Sequence, residues 1–402
     1  MPMLHLTVIG DVFVDVTIQT PDLTPPPGSD TLIPPILTAP GGSGLNFLTH
    51  FLNSPTSISH VDFHTSFNET DDHGKVLQSH LSKYATLNVI NDSNSGFKSE
   101  FLLSIESLST GHCVVLTSSS TSERTFFTHR GLISNLNPPP ISPPSSSSHL
   151  HLTGLMNMST VLHSLRSPES SILKTFKSYY STSSTSLVPQ YSPNPEDYEL
   201  INVLLPYTTY LICSENEAIS IGGLEYVSFF SKTCDYTIIT KGKNGAEVIK
   251  KNKGIILKAT SGFIPSIIDS TGAGDAFSAG FLLKILENDD IDLEGLKEGL
   301  INGCGYGSSC CMNLGATEGL RLEGVRESVK VEVVGEVVEI NKTKKTIHVV
   351  FDFDQTLTCC ETSEYHFSSD NLDTCIKQVF GSKERMSMIV DMLKDLMEKG
   401  RT

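Results

Sequence analysis

Asp269-Ser270-Thr271-Gly272-Ala273-Gly274-Asp275-Ala276-Phe277 is the stretch that decides how this chain is read. Two aspartates bracket a Gly-Ala-Gly turn, and the segment from Ala276 to Leu286 is almost wholly apolar. The run Phe263, Ile264, Ile267, Ile268 brings the chain to the turn, and the residues after it predict a buried helix. A glycine-rich turn that opens a helix leaves backbone N–H groups free at the positive end of the helix dipole. Such a turn can hold a phosphate, or the charge that develops as a phosphoryl group moves. Asp275 falls in the first helical turn, where a carboxylate can orient a hydroxyl and accept its proton. An aspartate there is also a frequent helix cap, and on the turn alone that plainer reading is favoured.

Length and composition bound the rest. With 402 residues the chain can form one large domain with an appendage, or two domains. Hydrophobic residues make up 38% and charged residues 18%, a globular balance. The formal charge of −16 argues against a protein that coats nucleic acid, because no basic excess exists to neutralise phosphates. Nine cysteines include no C-x-x-C pair, so they read as reduced, structural thiols in a cytoplasmic setting. Met1 to Gly10 reads as a short strand without a secretory signal's basic flank, and no apolar run reaches membrane-spanning length.

The nine-residue string is similar to the signature of the ribokinase-like (PfkB) carbohydrate kinases: Asp, Thr or Ser, any residue, Gly, Ala or Cys, Gly, Asp. The likeness extends over about residues 1–320, with further motifs in the family's order. It implies an α/β fold, a three-layer α/β/α sandwich with a small β lid. It also implies transfer of the γ-phosphoryl group of ATP to a hydroxyl of a sugar or nucleoside, with Mg2+ and, in some relatives, K+. By resemblance Asp275 is the catalytic base, and Gly272, Ala273 and Gly274 form the anion hole.

Leu4 to Ile9 reads as a buried strand ending in Gly10-Asp11, and Val12 to Ile18 continues extended. Alternation puts Asp11, Phe13, Asp15 and Thr17 on one face, which a solvent-facing strand would equally show. By resemblance Asp15 binds a substrate hydroxyl, although Phe13 stands where ribokinase carries Asn. Gly41, Gly42 and Asn46 match the family's second substrate element, with Ser43 in place of ribokinase's Lys and a helix expected near Leu45. Asp71-Asp72-His73-Gly74 predicts a turn into an amphipathic helix. His73 reads as a surface residue, without partners at metal-ligand spacing.

Phe101 to Ile105, Cys113 to Thr117 and Thr125 to His129 read as strands that suit the lid, through which a homodimer can form. Glu123-Arg124-Thr125 resembles a family turn in which Arg124 meets substrate or phosphate; a salt-bridged turn is the equal alternative. Pro138 to Ser148 is a low-complexity loop, Ser181 to Pro195 is a Ser/Thr/Pro-rich segment around a short strand, Leu187 to Pro189, and a helix is expected over Pro195 to Leu205. Glu217 matches the acidic residue that acts on magnesium through water, while Ser214 replaces the family's Asn and reads as a helix cap. Thr240 and Gly242 match a nucleotide-contacting turn. Lys241 and Lys243 read as ordinary exposed turn lysines. Asp269 is the candidate for holding a monovalent cation, and Cys304 stands where many members carry Asn on the adenine side.

The tail differs. Residues 321–346 read as the end of the kinase plus a connector, and 347–402 as a truncated, incomplete fragment. There a β-branched strand ends in Asp352-Phe353-Asp354-Gln355-Thr356. Two carboxylates at a strand end suit magnesium and an aspartyl nucleophile. This resembles the first motif of the haloacid dehalogenase (HAD) phosphatases, with Asp352 as nucleophile and Asp354 as acid/base. The remaining motifs of that family have no room between Thr358 and Thr402. Three alternatives to a sugar kinase therefore stand: a nucleoside or vitamin-precursor kinase, a catalytically degenerate sugar-binding protein, and a HAD-type phosphatase.

Overall fold

The computed structural model describes residues 5–24, 28, 30–54, 58, 60–92, 109–120, 124–145, 147–287 and 292–334. The chain divides into two units, Met1–Val334 and Gly335–Thr402, and the described residues all belong to the first. In chain order the first half runs β1 (His5–Gly10), β2 (Phe13–Thr20), β3 (Leu37–Gly41), α1 (Ser43–Leu52), β4 (His60–Thr65), α2 (Asp72–Leu81), β5 (Leu87–Asn91), β6 (His112–Ser118), β7 (Arg124–His129), β8 (Ser148–Thr153). Next come α3 (Ser159–Ser164), α4 (Ser171–Thr182), β9 (Ser184–Val188), α5 (Pro195–Leu200), β10 (Tyr210–Ser214), α6 (Glu215–Gly222) and α7 (Tyr226–Thr233). The last are β11 (Tyr236–Thr240), β12 (Ala246–Lys250), β13 (Gly254–Ala259), α8 (Ala273–Ile285), α9 (Leu293–Cys310) and β14 (Val331–Val333).

The main sheet has the order β14-β13-β12-β11-β10-β9-β8-β1-β4-β5. From β5 to β11 neighbouring strands pair parallel, and β12, β13 and β14 continue the sheet antiparallel. Parallel strands buried on both faces need apolar residues on both sides of the pleat. Leu6 and Val8 of β1 enter one core with α1, α2, α8 and α9, whereas Ile9 enters the other with α3 to α7. Likewise Ile212 of β10 faces the first core, and Leu211 and Cys213 face the second. The expected three-layer α/β/α sandwich is therefore present. β2 leaves the centre of the sheet directly after β1 and builds the lid, a smaller sheet of order β3-β2-β6-β7.

Close packing of α8 on α9 sets the height at which α8 sits. A Cβ on Gly280 would lie 2.6 Å from the Tyr306 ring, and one on Gly303 would lie 3.0 Å from Phe277. Asn302 Nδ2 donates to the Gly280 carbonyl at 2.7 Å and ties the two helices where no larger residue fits. Among the described residues no helix is long and apolar enough to cross a membrane.

Several expectations need correction. The run Phe263 to Ile268 is irregular, with Phe263, Ile267 and Ile268 exposed, so the anion turn is reached by a loop. The helix expected over Pro195 to Leu205 stops at Leu200 and passes into two short 3-10 turns, Ile201–Val203 and Leu205–Tyr207. β2 belongs with β3 in the lid sheet. Residues 331–333, read as part of a connector, form β14 on the edge of the main sheet beside β13. Phe101 to Ile105, Glu123, and the segment carrying Asp352 and Asp354 lie outside the described residues.

A buried polar ladder crosses the middle of the sheet. His149 places Nδ1 2.7 Å from Ser184 Oγ and Nε2 2.7 Å from Ser186 Oγ, and His151 Nδ1 also lies 2.7 Å from Ser186 Oγ. The His151 ring stacks on Phe47 of α1, and both histidines are fully buried. Burial holds them neutral: His149 is pushed down to about 3, and His151 well below the ordinary histidine value, with His149 adding to the effect. Below pH ~6.5 the unfolded chain takes up protons that these two groups refuse in the folded state, so stability is present above that pH and lost as pH falls. Each such histidine contributes a slope of about 1.4 kcal/mol per pH unit. Urea unfolding at pH 7.5 and 5 will show the loss on acidification smaller in His149→Gln than in wild type. An equal loss in both proteins would mean that His149 is protonated in the folded state.

Candidate active site

The C-terminal ends of β1 and β8 meet the N-termini of α1 and α8 in one polar cluster. Asp11 follows directly on β1 and is wholly buried. It accepts the Gly44 N–H at 3.0 Å and the Asn157 side-chain amide at 2.6 Å. Burial pushes its carboxyl up to about 6, and the hydrogen bonds from Asn157, Gly44 and Ser43 limit the rise. Asp11 thus clamps the start of α1 to the loop after β8. Gly154 completes that loop at φ +71°, where a Cβ would meet the Asp11 carboxylate at 2.3 Å.

Asp275 sits in the first turn of α8, with Gly272 in the left-handed conformation (φ +74°) as the residue before the helix. A Cβ on Gly272 would strike Ala316 at 2.5 Å, so the turn demands glycine on two counts. The backbone N–H groups of Gly274 and Asp275 have no acceptor among the described residues, and Gly274 is exposed with open space beside it. Ser43 Oγ donates to Asp275 Oδ1, and Asn46 Nδ2 donates to Oδ2 at 2.8 Å. Thr153 Oγ1 lies 2.8 Å from the same Ser43 hydroxyl. Burial pushes Asp275 up to about 7 against these two hydrogen bonds, with the charges of Asp11 and Glu217 adding to the rise.

Asp15 of β2 comes to the same place from the lid. A Cβ on Gly41 would fall 2.3 Å from its Oδ2, so the glycine is the gap into which the carboxylate fits. Its carboxyl is pushed up to about 7 by burial, then by Asp275 and Asp269. Asp15 is half-buried against Gly41 rather than on an exposed strand face. Among the described residues its carboxylate makes no hydrogen bond. Asn46 Oδ1 is likewise buried without a partner. Phe13 takes no part in this cluster, being buried in the core beneath the lid.

The other motif residues lie around this centre. Ser214 and Glu217 form a reciprocal cap on α6: the Glu217 carboxylate accepts the Ser214 N–H at 2.7 Å, and Ser214 Oγ accepts the Glu217 N–H. Burial pushes the Glu217 carboxyl up, opposed by those bonds. Asp269 Oδ1 accepts from the Thr271 N–H and hydroxyl, and Oδ2 from the Gly315 N–H at 3.0 Å, which braces the loop before the anion turn. Thr240 ends β11 opposite Ser214, and Gly242 occupies an exposed turn at φ +54°. Lys241 is an ion-pair partner of Glu247 at 2.8 Å and Glu215 at 3.2 Å, a more local task than its exposed-turn reading implied. Cys304 is buried in the α8–α9 core. Arg124 pairs through its backbone with Thr117 at the start of β7; its side chain is outside the described residues.

Asp275, Gly272, Ala273, Gly274, Asn46, Asp15, Gly41 and Gly42 are thus brought to one place, while Thr240, Gly242 and Glu217 stand at the ends of neighbouring strands. The sequence reading missed Asp11, Thr153 and Asn157, and treated Ser43 only as a replacement. A signal existed for Asp11, an acid directly after a buried strand, where sites of open α/β sheets are built.

A family model described as pfkB family carbohydrate kinase matches residues 93–318. A nucleoside kinase of Methanocaldococcus jannaschii is 30% identical over 112 residues, 27% of this chain and 34% of that protein. A ribokinase of Haemophilus influenzae is 31% identical over 107 residues, 27% of this chain and 31% of that protein. The chain thus spans about a third of the length of these curated relatives. In fold it is similar to a structure of Arabidopsis thaliana ribokinase complexed with ribose and ATP, at TM-score 0.58 and 19% identity, covering 81% of this chain and 97% of the other.

The Ser43 hydroxyl stabilises the ionised form of Asp275, so its removal must raise the pKa. In Ser43→Ala the Asp275 carboxyl will titrate roughly one pH unit higher or more, the size expected for a hydrogen bond to a charged group. Carbon NMR of aspartate-labelled protein reads this directly, and an unchanged titration would show that the hydroxyl does not serve Asp275.

Proposed function

The chain belongs to the pfkB family of carbohydrate kinases, and from that premise we propose that it transfers the γ-phosphoryl group of ATP to a hydroxyl of a sugar or nucleoside. The observation that carries the proposal is the position of the Asp275 carboxylate, held by Ser43 and Asn46 beside the open N-terminus of α8, where burial pushes it up to about 7. A base whose pKa lies close to working pH combines the right protonation state with driving force for proton transfer. Relatives named nucleoside kinase and ribokinase support a ribose-like acceptor.

In this mechanism Asp15 and Asn46, whose Asp15 carboxylate and Asn46 Oδ1 have no partner among the described residues, grip the acceptor's hydroxyls. Gly41 and Gly42 let the acceptor approach the backbone, and Arg124 meets substrate or phosphate. The reacting hydroxyl takes the place of Ser43 or Asn46 on Asp275 and passes its proton to that carboxylate. Its oxygen bonds to the γ-phosphorus as the bond to the β–γ bridging oxygen breaks, and ADP leaves. The backbone amides of Gly272 and Gly274, joined by that of Asp275, stabilise the charge on the moving group, whereas the Ala273 amide, expected among them, donates to the Ser270 carbonyl at 3.3 Å.

Thr240 and Gly242 flank the nucleotide. Magnesium, held through water by Glu217, would neutralise phosphate charge when bound. Asp269, in the loop before the anion turn, would hold a monovalent cation through its carboxylate oxygens. We assign the kinase domain to about residues 1–334, since β14 closes the edge of the main sheet, and place a homodimer contact on the lid, where Phe126 and Phe127 of β7 are exposed. The degenerate, sugar-binding reading has one observation in its favour: both Asp275 oxygens are already engaged by Ser43 and Asn46.

Asp275→Asn will lower turnover by at least about 10²-fold, the low end for loss of a general base, with the fold intact by circular dichroism. The assay is ATP consumption against a panel of sugars and nucleosides with magnesium and potassium. In wild type, turnover will fall as pH drops through about 7, because protonation of Asp275 removes the base. Near-normal turnover in the variant would sink the assigned role. Sugar binding without ATP consumption in wild type would select the degenerate reading.

A further inference from the structure

The opposite edge of the sheet, where the parallel strands begin, carries a cluster that the phosphoryl-transfer site does not use. His5 opens β1 and pairs in register with His60, which opens β4; Thr7 pairs with Asp62. Residues two apart on a strand share a face, so parallel register places His5, His60 and Asp62 on the same side of two adjacent strands. His5 Nε2 lies 2.8 Å from Asp62 Oδ2, and His60 Nε2 lies 3.1 Å from Asp62 Oδ1. The two imidazole rings are 4.7 Å apart, and one ligand atom from each residue lies within 4.8 Å of the others. Asn88 of β5, in register with Asp62, donates its amide to Asp62 Oδ1 at 2.7 Å and fixes the carboxylate's orientation.

We propose that His5, His60 and Asp62 form a site for one divalent transition-metal ion of the zinc, cobalt or nickel class. Two imidazole nitrogens and a carboxylate are the donor set such ions favour, whereas magnesium and calcium prefer oxygen alone. In a tetrahedral site with metal–ligand bonds of ~2.0–2.1 Å, donors stand about 3.4 Å apart, close to the spacings already found here. With both rings in the Nδ1–H tautomer, the two Nε2 lone pairs converge beside the carboxylate, and an ion replaces the two His–Asp hydrogen bonds. The hydrogen-bonded amide of Asn88 supplies the outer support that metal-ligating carboxylates ordinarily have. His60 has a side chain 48% exposed, so the ion has an entry path, while His5 and Asp62 are about one-fifth exposed and held in place. Asp11 follows the far end of β1, some 20 Å along the strand at ~3.3 Å per residue, so the ion would not touch Asp275. Its effect is to cross-link β1 to β4, two strands joined in sequence only through the lid hairpin and α1.

The test is titration of the untagged full chain with Co2+ and with Zn2+. The expected result is one ion per chain by calorimetry, a visible cobalt band of the low-coordinate type, and a rise in Tm with saturating zinc. His60→Gln, at an exposed position that tolerates the change, and Asp62→Asn will each weaken affinity at least about tenfold and abolish the Tm rise. Asp275→Asn will bind cobalt like wild type. No saturable binding below millimolar metal would overturn the proposal, as would equal affinity in wild type, His60→Gln and Asp62→Asn.

Discussion

The hydrogen bonds from Ser43 and Asn46 to the Asp275 carboxylate join the first turns of α1 and α8, and the whole site hangs on that junction. Both helices must bring their N-termini to within side-chain reach above the ends of β1 and β8. For α1 this requires Gly44 to pass close to Gly10, where a Cβ on Gly10 would lie 2.8 Å from the Gly44 Cα, with Asp11 accepting the Gly44 N–H. For α8 it requires the glycine-lined contact with α9 and a left-handed Gly272 against Ala316. His50, whose Nε2 lies 2.7 Å from the Ala316 carbonyl, ties α1 to the same loop. A shift in either helix would therefore separate the carboxylate from its partners and move the open amides with it.

The electrostatic cost of the arrangement is visible in three acids. Asp11, Asp15 and Asp275 are each pushed up, to about 6, 7 and 7, with burial the largest cause in every case. A carboxylate with a raised folded pKa holds its proton in the folded state over a range where the unfolded chain has lost it. These three groups therefore favour the fold as pH falls from about 7 toward 4. The buried pair His149 and His151 works the other way, since its depressed pKa values weaken the fold below pH ~6.5. The two opposing responses lie in different places: Asp11 after β1, Asp15 in the lid sheet and Asp275 on α8 belong to the candidate site, whereas the histidines sit in the dry centre of the main sheet.

The same sheet carries polar chemistry at both ends for a common reason. In the middle of parallel strands both faces are covered by helices, and polar side chains persist there only when hydrogen-bonded, as His149 is to Ser184 and Ser186. At the strand ends the cover stops. Asp11 follows the last residue of β1, and His5 and His60 occupy the first residues of β1 and β4. The register between strands then decides which of these end residues meet.

By itself the sequence carried the motifs whose likeness to the pfkB kinases implied the fold class and named Asp15, Gly41-Gly42, Asn46 and the Gly272–Asp275 turn as site candidates. Those features are local: apolar periodicity, glycines where a turn must form, and a helix start beside an acid. Only the tertiary structure decided who bonds to whom. Ser43 became the donor to Asp275, Asp11 the buried clamp, Glu217 the partner of Ser214 in a helix cap, and Lys241 the partner of two glutamates, because each depends on how far apart two elements sit once packed. The apolar run Phe263 to Ile268 makes the reverse case, since it forms a loop with Phe263, Ile267 and Ile268 exposed. Hydrogen-bond partners, burial of charge and strand register are properties of separations of tens to hundreds of residues, and no local pattern encodes those distances.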